Sequence, residues 1–223
     1  MSPEFARRGL LLTGKPGTGK TMICKVLMNT SPGITCIVAH SGGMLEPCYV
    51  DQLFRVAADL SPSIVFLEDI DLIGQGRIRS QHRMADALSR LLYALDGIQD
   101  CKKVVTVATT NWVDILDEAL KDRPSRFDRI VYVNPPDTRE RREFLDRLAV
   151  KIPLPQDVVQ RLVERTAGLT PAQIQEVVHS AAIEASASPR EPGFWDQVFA
   201  ASTMEETLAQ MKGTSGGIGF VAR

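Results

Sequence analysis

Two groups of residues in this sequence have the types and spacing of a site for a charged ligand. The first is the run Gly14-Lys15-Pro16-Gly17-Thr18-Gly19-Lys20-Thr21, which matches the phosphate-loop pattern GxxxxGK[ST] in full. Its glycines let backbone N–H groups turn inward around a phosphate, at angles that other residues avoid. Lys20 can bridge β- and γ-phosphates, and the Thr21 hydroxyl can ligate Mg²⁺. The loop therefore predicts binding of ATP or GTP; the alternative is a glycine-rich turn with an incidental lysine.

The second group is an acidic pair at the end of an apolar run. Ser63–Leu67 leads directly into Glu68 and Asp69. In phosphate-loop enzymes one such carboxylate belongs to the Mg²⁺ shell and another orients the attacking water. Glu68 and Asp69 can divide these two roles or share them. Taken alone, the pair is also compatible with two solvated acids at a strand end.

The elements that position these groups follow from the short apolar runs. Five runs are rich in branched residues, and each predicts a strand buried on both faces; they are Gly9–Thr13, Ile34–His40, Ser63–Leu67, Val104–Thr109 and Ile130–Val133. Helical patterns separate them at Lys20–Met28, Val50–Leu60 and Met84–Leu95. This alternation predicts an α/β fold of the P-loop NTPase type, with a parallel five-stranded sheet between layers of helices.

The pattern changes after Asn134-Pro135-Pro136, because proline neither continues a strand nor sits inside a helix. Only helical spacing follows, at Asp137–Val150, Gln156–Thr166, Pro171–Ala187 and Met204–Met211, with Asp137 or Thr138 as the first cap. We expect residues 6–134 to form the α/β domain, 135–212 a small helical domain and 213–223 a flexible tail. Residues 1–5 resemble an expression-vector scar, so we expect the natural protein to continue upstream of Ala6.

Composition narrows the functional classes. The 223 residues are 44% hydrophobic and 24% charged with a net charge of −1, so no bulk field attracts nucleic acid or an anionic membrane. No apolar run approaches the length of a membrane span. Four cysteines without a CxxC motif favour buried thiols in a reducing compartment. We expect a cytoplasmic protein with no nucleic-acid partner and no membrane contact in this stretch.

Beyond the phosphate loop, the chain resembles the AAA ATPases that carry a second region of homology. The resemblance rests on Val107–Asn111, on Leu116-Asp117-Glu118-Ala119-Leu120 and on the run Arg123–Arg129, where Ser125 stands in place of the family's usual glycine. Glu68-Asp69 reverses the more common Asp-Glu order, and by position in that pattern the resemblance implies Glu68 as the Mg²⁺ ligand and Asp69 as the base. The resemblance covers about residues 8–212 and implies ATP with Mg²⁺ as the bound species and a C-terminal helical lid over the nucleotide.

The same resemblance implies roles for residues outside the phosphate loop. Asn111 matches the sensor that places the water, and Arg123 and Arg126 match the arginines that reach a neighbouring subunit's ATP. Such fingers imply an oligomer, usually a hexameric ring, built from copies of this chain. Gly168 and Ala172 match the turn near adenine and ribose. Without the resemblance, a strand-end turn, a solvated arginine surface and an ordinary helix start explain these residues equally well.

The resemblance also implies a task. Many members thread polypeptide through the ring, so we expect an ATP hydrolase that remodels or unfolds a protein or peptide substrate. The loop that would line the pore, Ser41–Pro47, contains no aromatic residue, and Met44 and Leu45 are its apolar candidates. A nucleotide-gated scaffold with weak hydrolysis is the alternative, which the short Asp69 side chain favours. Neutral charge argues against a DNA-directed machine, and nothing marks the acceptor site of a small-molecule kinase.

Overall fold

The computed structural model describes residues 8–40, 48–73, 103–111, 127, 129–152 and 154–187. The chain divides into two compact units, with the boundary between Val133 and Asn134. The described elements of the first unit are β1 (Arg8–Thr13), α1 (Lys20–Thr30), β2 (Thr35–His40), α2 (Tyr49–Asp59), β3 (Ser63–Glu68), a 3-10 turn (Ile70–Ile73), β4 (Val104–Thr110) and β5 (Arg129–Tyr132). The predicted helices Met84–Leu95 and Met204–Met211 lie outside the described residues.

The five strands form one parallel sheet in the order β2-β3-β4-β1-β5. The predicted five-stranded parallel sheet is confirmed. Its order places β3, β4 and β1 next to one another at the centre, with register partners such as Leu67 and Ala108 and Thr13 and Thr110. Because the three strands run in the same direction, the loops that follow them leave from the same edge of the sheet.

Helices cover both faces of this sheet. On one face, α2 packs its apolar side on alternate strand residues; this cluster includes Leu53, Phe54, Leu11, Val65, Leu67 and Ala108. On the other face, α1 packs on the residues between them, and that cluster includes Cys24, Leu12, Ile64, Phe66 and Val107. Because side chains alternate between the two faces of a sheet, the same strands contribute residues to two hydrophobic clusters. Glu68 and Thr109 belong by their alternation to the α1 face of the sheet.

Burial of all five strands on both faces was a wrong prediction. All four residues of β5 are exposed, including Tyr132 at 61%. In β2 only Ala39 is buried. Both strands lie at the edges of the sheet, where fewer elements cover them. The runs of branched residues therefore predicted correctly that these segments are strands, but predicted incorrectly that β2 and β5 are buried on both faces.

The second unit contains the helices α3 (Thr138–Ala149), α4 (Gln156–Arg165) and α5 (Pro171–Ala187). Of the two caps that the sequence left open for α3, the structure uses Asp137, whose carboxylate accepts the Glu140 amide while Glu140 accepts the Asp137 amide. The core joins residues from all three helices, among them Leu145, Val158, Leu162, Ile174 and Val177. In the described part of the chain, no helix combines the length and apolarity that crossing a bilayer requires.

Candidate active site

The predicted site residues of the first unit follow three adjacent strands. The phosphate loop follows β1, Asp69 follows β3, and Asn111 follows β4. In the sheet β4 lies between β3 and β1, so the three segments are neighbours at one edge. Open α/β sheets bind ligands at this edge. The fold thus brings together residues that are up to about a hundred positions apart in the sequence.

The phosphate loop adopts a backbone that requires glycine at its ends. Gly14 has φ 155° and Gly19 has φ 103°. A Cβ atom on Gly14 would lie 2.2 Å from the Val133 carbonyl oxygen, so no side chain fits there. Gly19 is the N-cap of α1, and no side chain caps this helix. The positive end of α1 therefore faces the loop with its first amides available to an anion.

Lys20 is the cation of the loop and lies almost entirely inside it, with 5% of its surface exposed. Its ammonium group donates to the carbonyl oxygens of Gly14 at 2.8 Å and Lys15 at 3.0 Å. Burial lowers the pKa of Lys20, and the negative charges of Asp69 and Asp71 partly offset that effect. The loop thus holds a buried ammonium group that two carboxylates attract.

These features fit the Mg²⁺–ATP that the sequence predicts. The glycine backbone has no room for side chains at Gly14, the α1 terminus has no side-chain cap, and Lys20 provides a buried cation. Thr21 is exposed at the start of α1, and Glu68 lies on the α1 face at the end of β3. A hydroxyl and a carboxylate are oxygen ligands of the kind that Mg²⁺ prefers.

Glu68 makes a contact that the sequence did not predict. Its Oε2 atom lies 2.9 Å from Nδ1 of His40, the last residue of β2. The two residues are register partners in neighbouring strands, which explains the contact. Behind them, Cys24 is completely buried, and burial together with the Glu68 charge raises the pKa of its thiol to about 11. The end of β3 is thus a polar site bordered by α1 and β2.

Asp69 and Asn111 meet across the gap between β3 and β4. Asn111 Nδ2 donates to Asp69 Oδ1 at 3.5 Å. Asp69 has φ 52°, in the left-handed region, which aspartate and asparagine adopt several-fold more readily than other non-glycine residues. This backbone conformation gives a physical reason why aspartate is the second residue of the acidic pair, because glutamate tolerates the left-handed region less well. The predicted base and the predicted sensor are therefore in contact.

Two further residues of this contact were missed by the sequence reasoning. Thr109 accepts the Asp69 amide through Oγ1 at 3.0 Å, and Asp71 accepts the Asn111 amide through Oδ1 at 3.1 Å. Both side chains are buried. In the sequence, these two residues are marked by their closeness to predicted site residues: Thr109 lies two positions before Asn111, and Asp71 lies two positions after Asp69.

The geometry of this group does not test four of the predicted residues. Arg123 and Arg126 lie outside the described residues, and their role stays a prediction. Gly168 and Ala172 lie in the second unit, around the turn into α5. Gly168 has φ 81°, and Thr170 and Gln173 cap the helix reciprocally. This local geometry is that of an ordinary helix start. The contact of Gly168 and Ala172 with adenine and ribose stays a prediction.

Comparison with known proteins identifies the family. Residues 10–135 match the model of the ATPase family associated with various cellular activities (AAA). The chain belongs to the AAA ATPase family. This AAA domain is an ATP hydrolase, and the predicted family and enzyme class are confirmed.

Several curated relatives share most of this chain. The ATP-dependent zinc metalloprotease FtsH 2 of Sphaerobacter thermophilus is 40% identical over 194 residues, which cover 82% of this chain and 29% of the relative. The Cell division cycle protein 48 homolog of Archaeoglobus fulgidus is 35% identical over 83% of this chain and 26% of its own length. The mitochondrial inner membrane m-AAA protease component AFG3L1 of Mus musculus is 35% identical over 80% and 24%. The chain therefore spans less than a third of each of these relatives.

Proposed function

We propose that this AAA domain is the motor subunit of an oligomeric ring, most simply a hexamer, that uses ATP hydrolysis to remodel or unfold protein substrates. The observation that carries the proposal is the meeting of Asp69 with Asn111 at the sheet edge that also holds the phosphate loop. A loop of this kind alone supports nucleotide binding. A carboxylate and an amide next to it supply the groups that hydrolysis needs.

Each residue has a defined role in the proposed hydrolysis. Backbone amides of the loop and the Lys20 ammonium hold the phosphates, and Thr21 and Glu68 ligate Mg²⁺, which neutralises phosphate charge. Asp69 orients the attacking water and accepts its proton. Asn111 fixes that water through its side-chain amide.

Arginines complete the proposed site from a second subunit. Arg123 and Arg126 of one subunit reach the ATP of its neighbour, where a guanidinium stabilises the charge of the transferred phosphoryl group. An arginine finger of this kind is worth about three to five powers of ten in rate. Hydrolysis in this proposal therefore depends on assembly, since an isolated subunit lacks the finger.

Protein substrates are proposed from the relatives. Two of the three relatives named above are called proteases or protease components, and proteases act on polypeptides. An unfolded protein such as casein tests this part directly. We expect casein to raise the ATPase rate of the assembled chain, and Ser substitutions at Met44 and Leu45 to remove that increase while leaving the basal rate unchanged. An ATPase rate that is indifferent to casein contradicts the proposed substrate class.

A nucleotide-gated assembly protein with weak hydrolysis is the second candidate. The observation that favours it is the Asp69 side chain, which is one methylene shorter than glutamate and meets Asn111 only at 3.5 Å. A short carboxylate reaches less far toward a water on the γ-phosphate. In this candidate, ATP binding drives assembly and turnover is slow in every oligomeric state.

Steady-state ATPase activity measured against protein concentration separates the two candidates. The motor proposal predicts a specific activity that rises as subunits associate and collapses in Arg123→Ala and Arg126→Ala. Arg139→Ala is the matched control, because Arg139 is an exposed residue of α3 whose ion pair with Glu143 contributes little. Specific activity that is independent of concentration and of both arginines contradicts the shared site.

A further inference from the structure

The turn after β3 is attached to the end of β4 by three hydrogen bonds. We call residues Asp69–Asp71 the acid turn. Its first amide donates to Thr109 Oγ1 at 3.0 Å, its first carboxylate accepts from Asn111 Nδ2 at 3.5 Å, and its last carboxylate accepts from the Asn111 amide at 3.1 Å. The bonds join residues about 40 positions apart in the chain. The acid turn is therefore held from the neighbouring strand.

A hydrogen bond to Thr109 restrains Asp69, the first residue of the acid turn. The Thr109 side chain is 1% exposed, and a branched side chain in a strand has few rotamers, so the hydroxyl oxygen has a fixed direction. Asp69 meets that oxygen with its amide while its backbone stays in the left-handed region at φ 52°. Backbone in this region persists when the surroundings hold it there. The hydrogen bond to Thr109 Oγ1 restrains the Asp69 backbone, and that backbone sets the direction of the Asp69 carboxylate.

A hydrogen bond to Asp71 restrains Asn111, the other member of the Asp69–Asn111 pair. The Asp71 side chain is 2% exposed, and a buried carboxylate requires donors or positive charge. The Asn111 amide is one such donor, and the buried ammonium of Lys20 is attracted to the same charge. Asp71 therefore fixes the backbone of Asn111, whose side chain points to Asp69. One buried residue on each side holds one member of the Asp69–Asn111 pair.

We propose that Thr109 and Asp71 are positioning residues for ATP hydrolysis, which set the Asp69–Asn111 pair from β4 and from the acid turn. This inference rests on the proposed roles of Asp69 and Asn111. Thr109 and Asp71 accept hydrogen bonds from the backbone amides of the pair, and Asp71 also attracts the Lys20 ammonium of the phosphate loop. Loss of either acceptor is expected to lower the rate of hydrolysis, and loss of the Thr109 hydroxyl is expected to leave ATP binding unchanged.

The test for Thr109 compares two substitutions in the full 223-residue chain. Thr109→Val keeps the shape of the side chain and removes the acceptor, whereas Thr109→Ser keeps the acceptor. We expect Thr109→Val to lower kcat by about tenfold or more with KM unchanged, because small displacements of reacting groups are costly, and Thr109→Ser to stay within about twofold of wild type. Thr106→Val is the matched control, since Thr106 lies in the same strand on the opposite face of the sheet.

The Asp71 comparison uses the same logic. Asp71→Asn retains an oxygen that accepts the Asn111 amide, and Asp71→Ala removes it. We expect Asp71→Ala to lower kcat at least about tenfold and Asp71→Asn to restore most of the rate. Melting temperatures and affinity for a fluorescent ATP analogue are recorded for every variant, and a variant that has lost its fold is recognised by both.

The outcomes distinguish failure of the positioning role from failure of the proposed ring. Wild-type kcat in Thr109→Val, or an equal loss in Thr109→Val and Thr109→Ser, overturns the positioning role of the hydroxyl. A raised KM with unchanged kcat overturns it as well, because it would place Thr109 in ATP binding. Failure of the proposed ring is seen separately, as a wild-type rate that does not rise with protein concentration, and it leaves the comparison of Val with Ser intact.

Discussion

Gly14 is a position of the phosphate loop where the structure leaves no room for a side chain. A Cβ atom there would lie 2.2 Å from the carbonyl oxygen of Val133 and 3.1 Å from its carbonyl carbon. To reach an ordinary non-bonded distance of about 3.5 Å, the carbonyl must move by more than about 1 Å. Val133 is not free to move, because its amide donates to the Thr13 carbonyl at 2.7 Å and so attaches the end of β5 to β1.

The magnitude for Gly14→Ala follows from those contacts. Alanine at φ 155° is strained, and a residue forced into a sparsely populated region costs about 1–3 kcal/mol. Breaking the Val133–Thr13 hydrogen bond adds about 1 kcal/mol. We therefore expect the free energy of unfolding to fall by about 2–4 kcal/mol. The Gly14 carbonyl that holds Lys20 is displaced as well, so ATP affinity falls in the protein that remains folded.

The assay for Gly14→Ala is urea unfolding followed by circular dichroism, with ATP affinity measured on the folded fraction. Gly33→Ala is the matched control, because Gly33 has φ 77° and no atom lies within 4 Å of its added Cβ. That control carries only the cost of the left-handed backbone, about 1–2 kcal/mol. A Gly14→Ala variant that is no less stable than Gly33→Ala, or that binds ATP as tightly as wild type, would contradict the predicted clash with Val133.

Three further predictions concern the buried groups Lys20 and Cys24. Lys20→Met is expected to weaken ATP binding by about two or more powers of ten, because it removes a desolvated charge that faces the phosphates, and a binding titration checks this. Burial lowers the pKa of Lys20, so the unfolded chain binds that proton more tightly, and the free energy of unfolding of the wild type must rise relative to Lys20→Met as the pH approaches 10.5. Iodoacetamide at pH 8 is expected to alkylate the exposed Cys48 and leave Cys24 unmodified until the chain unfolds, since Cys24 is buried and its pKa is about 11; equal rates by mass spectrometry would contradict its placement.

The sequence predicted the elements of the sheet better than their surroundings. The runs that became β1, β3 and β4 are apolar because both faces of a central strand pack against helices. The run of β5 looks the same in the sequence, yet every residue of that strand is exposed. Position at a sheet edge depends on strand order, which is set by contacts between segments far apart in the chain. Hydropathy of one segment does not contain that information.

The same distinction explains what could be predicted of the site. The phosphate loop is contiguous, so its function could be read from spacing alone. Asp69 and Asn111 were predicted as parts of separate motifs, whereas their contact depends on the adjacency of β3 and β4. Thr109 and Asp71 were missed because a threonine in a strand and an acid in a turn are common residue types in common places. Only the packing of the two strand ends gives them a role.

We propose that Asp69 is the base of ATP hydrolysis, whereas the phosphate loop binds the nucleotide. The most direct test is single-turnover hydrolysis of γ-labelled ATP by wild type, Asp69→Asn and Glu68→Gln, with ATP affinity measured for each. Asparagine suits the left-handed backbone at this position, so Asp69→Asn should fold and bind ATP as wild type does. We expect Asp69→Asn to bind ATP and to release no phosphate. Phosphate release by Asp69→Asn at the wild-type rate, with its loss in Glu68→Gln, would assign the base to Glu68 and contradict the proposed role of Asp69.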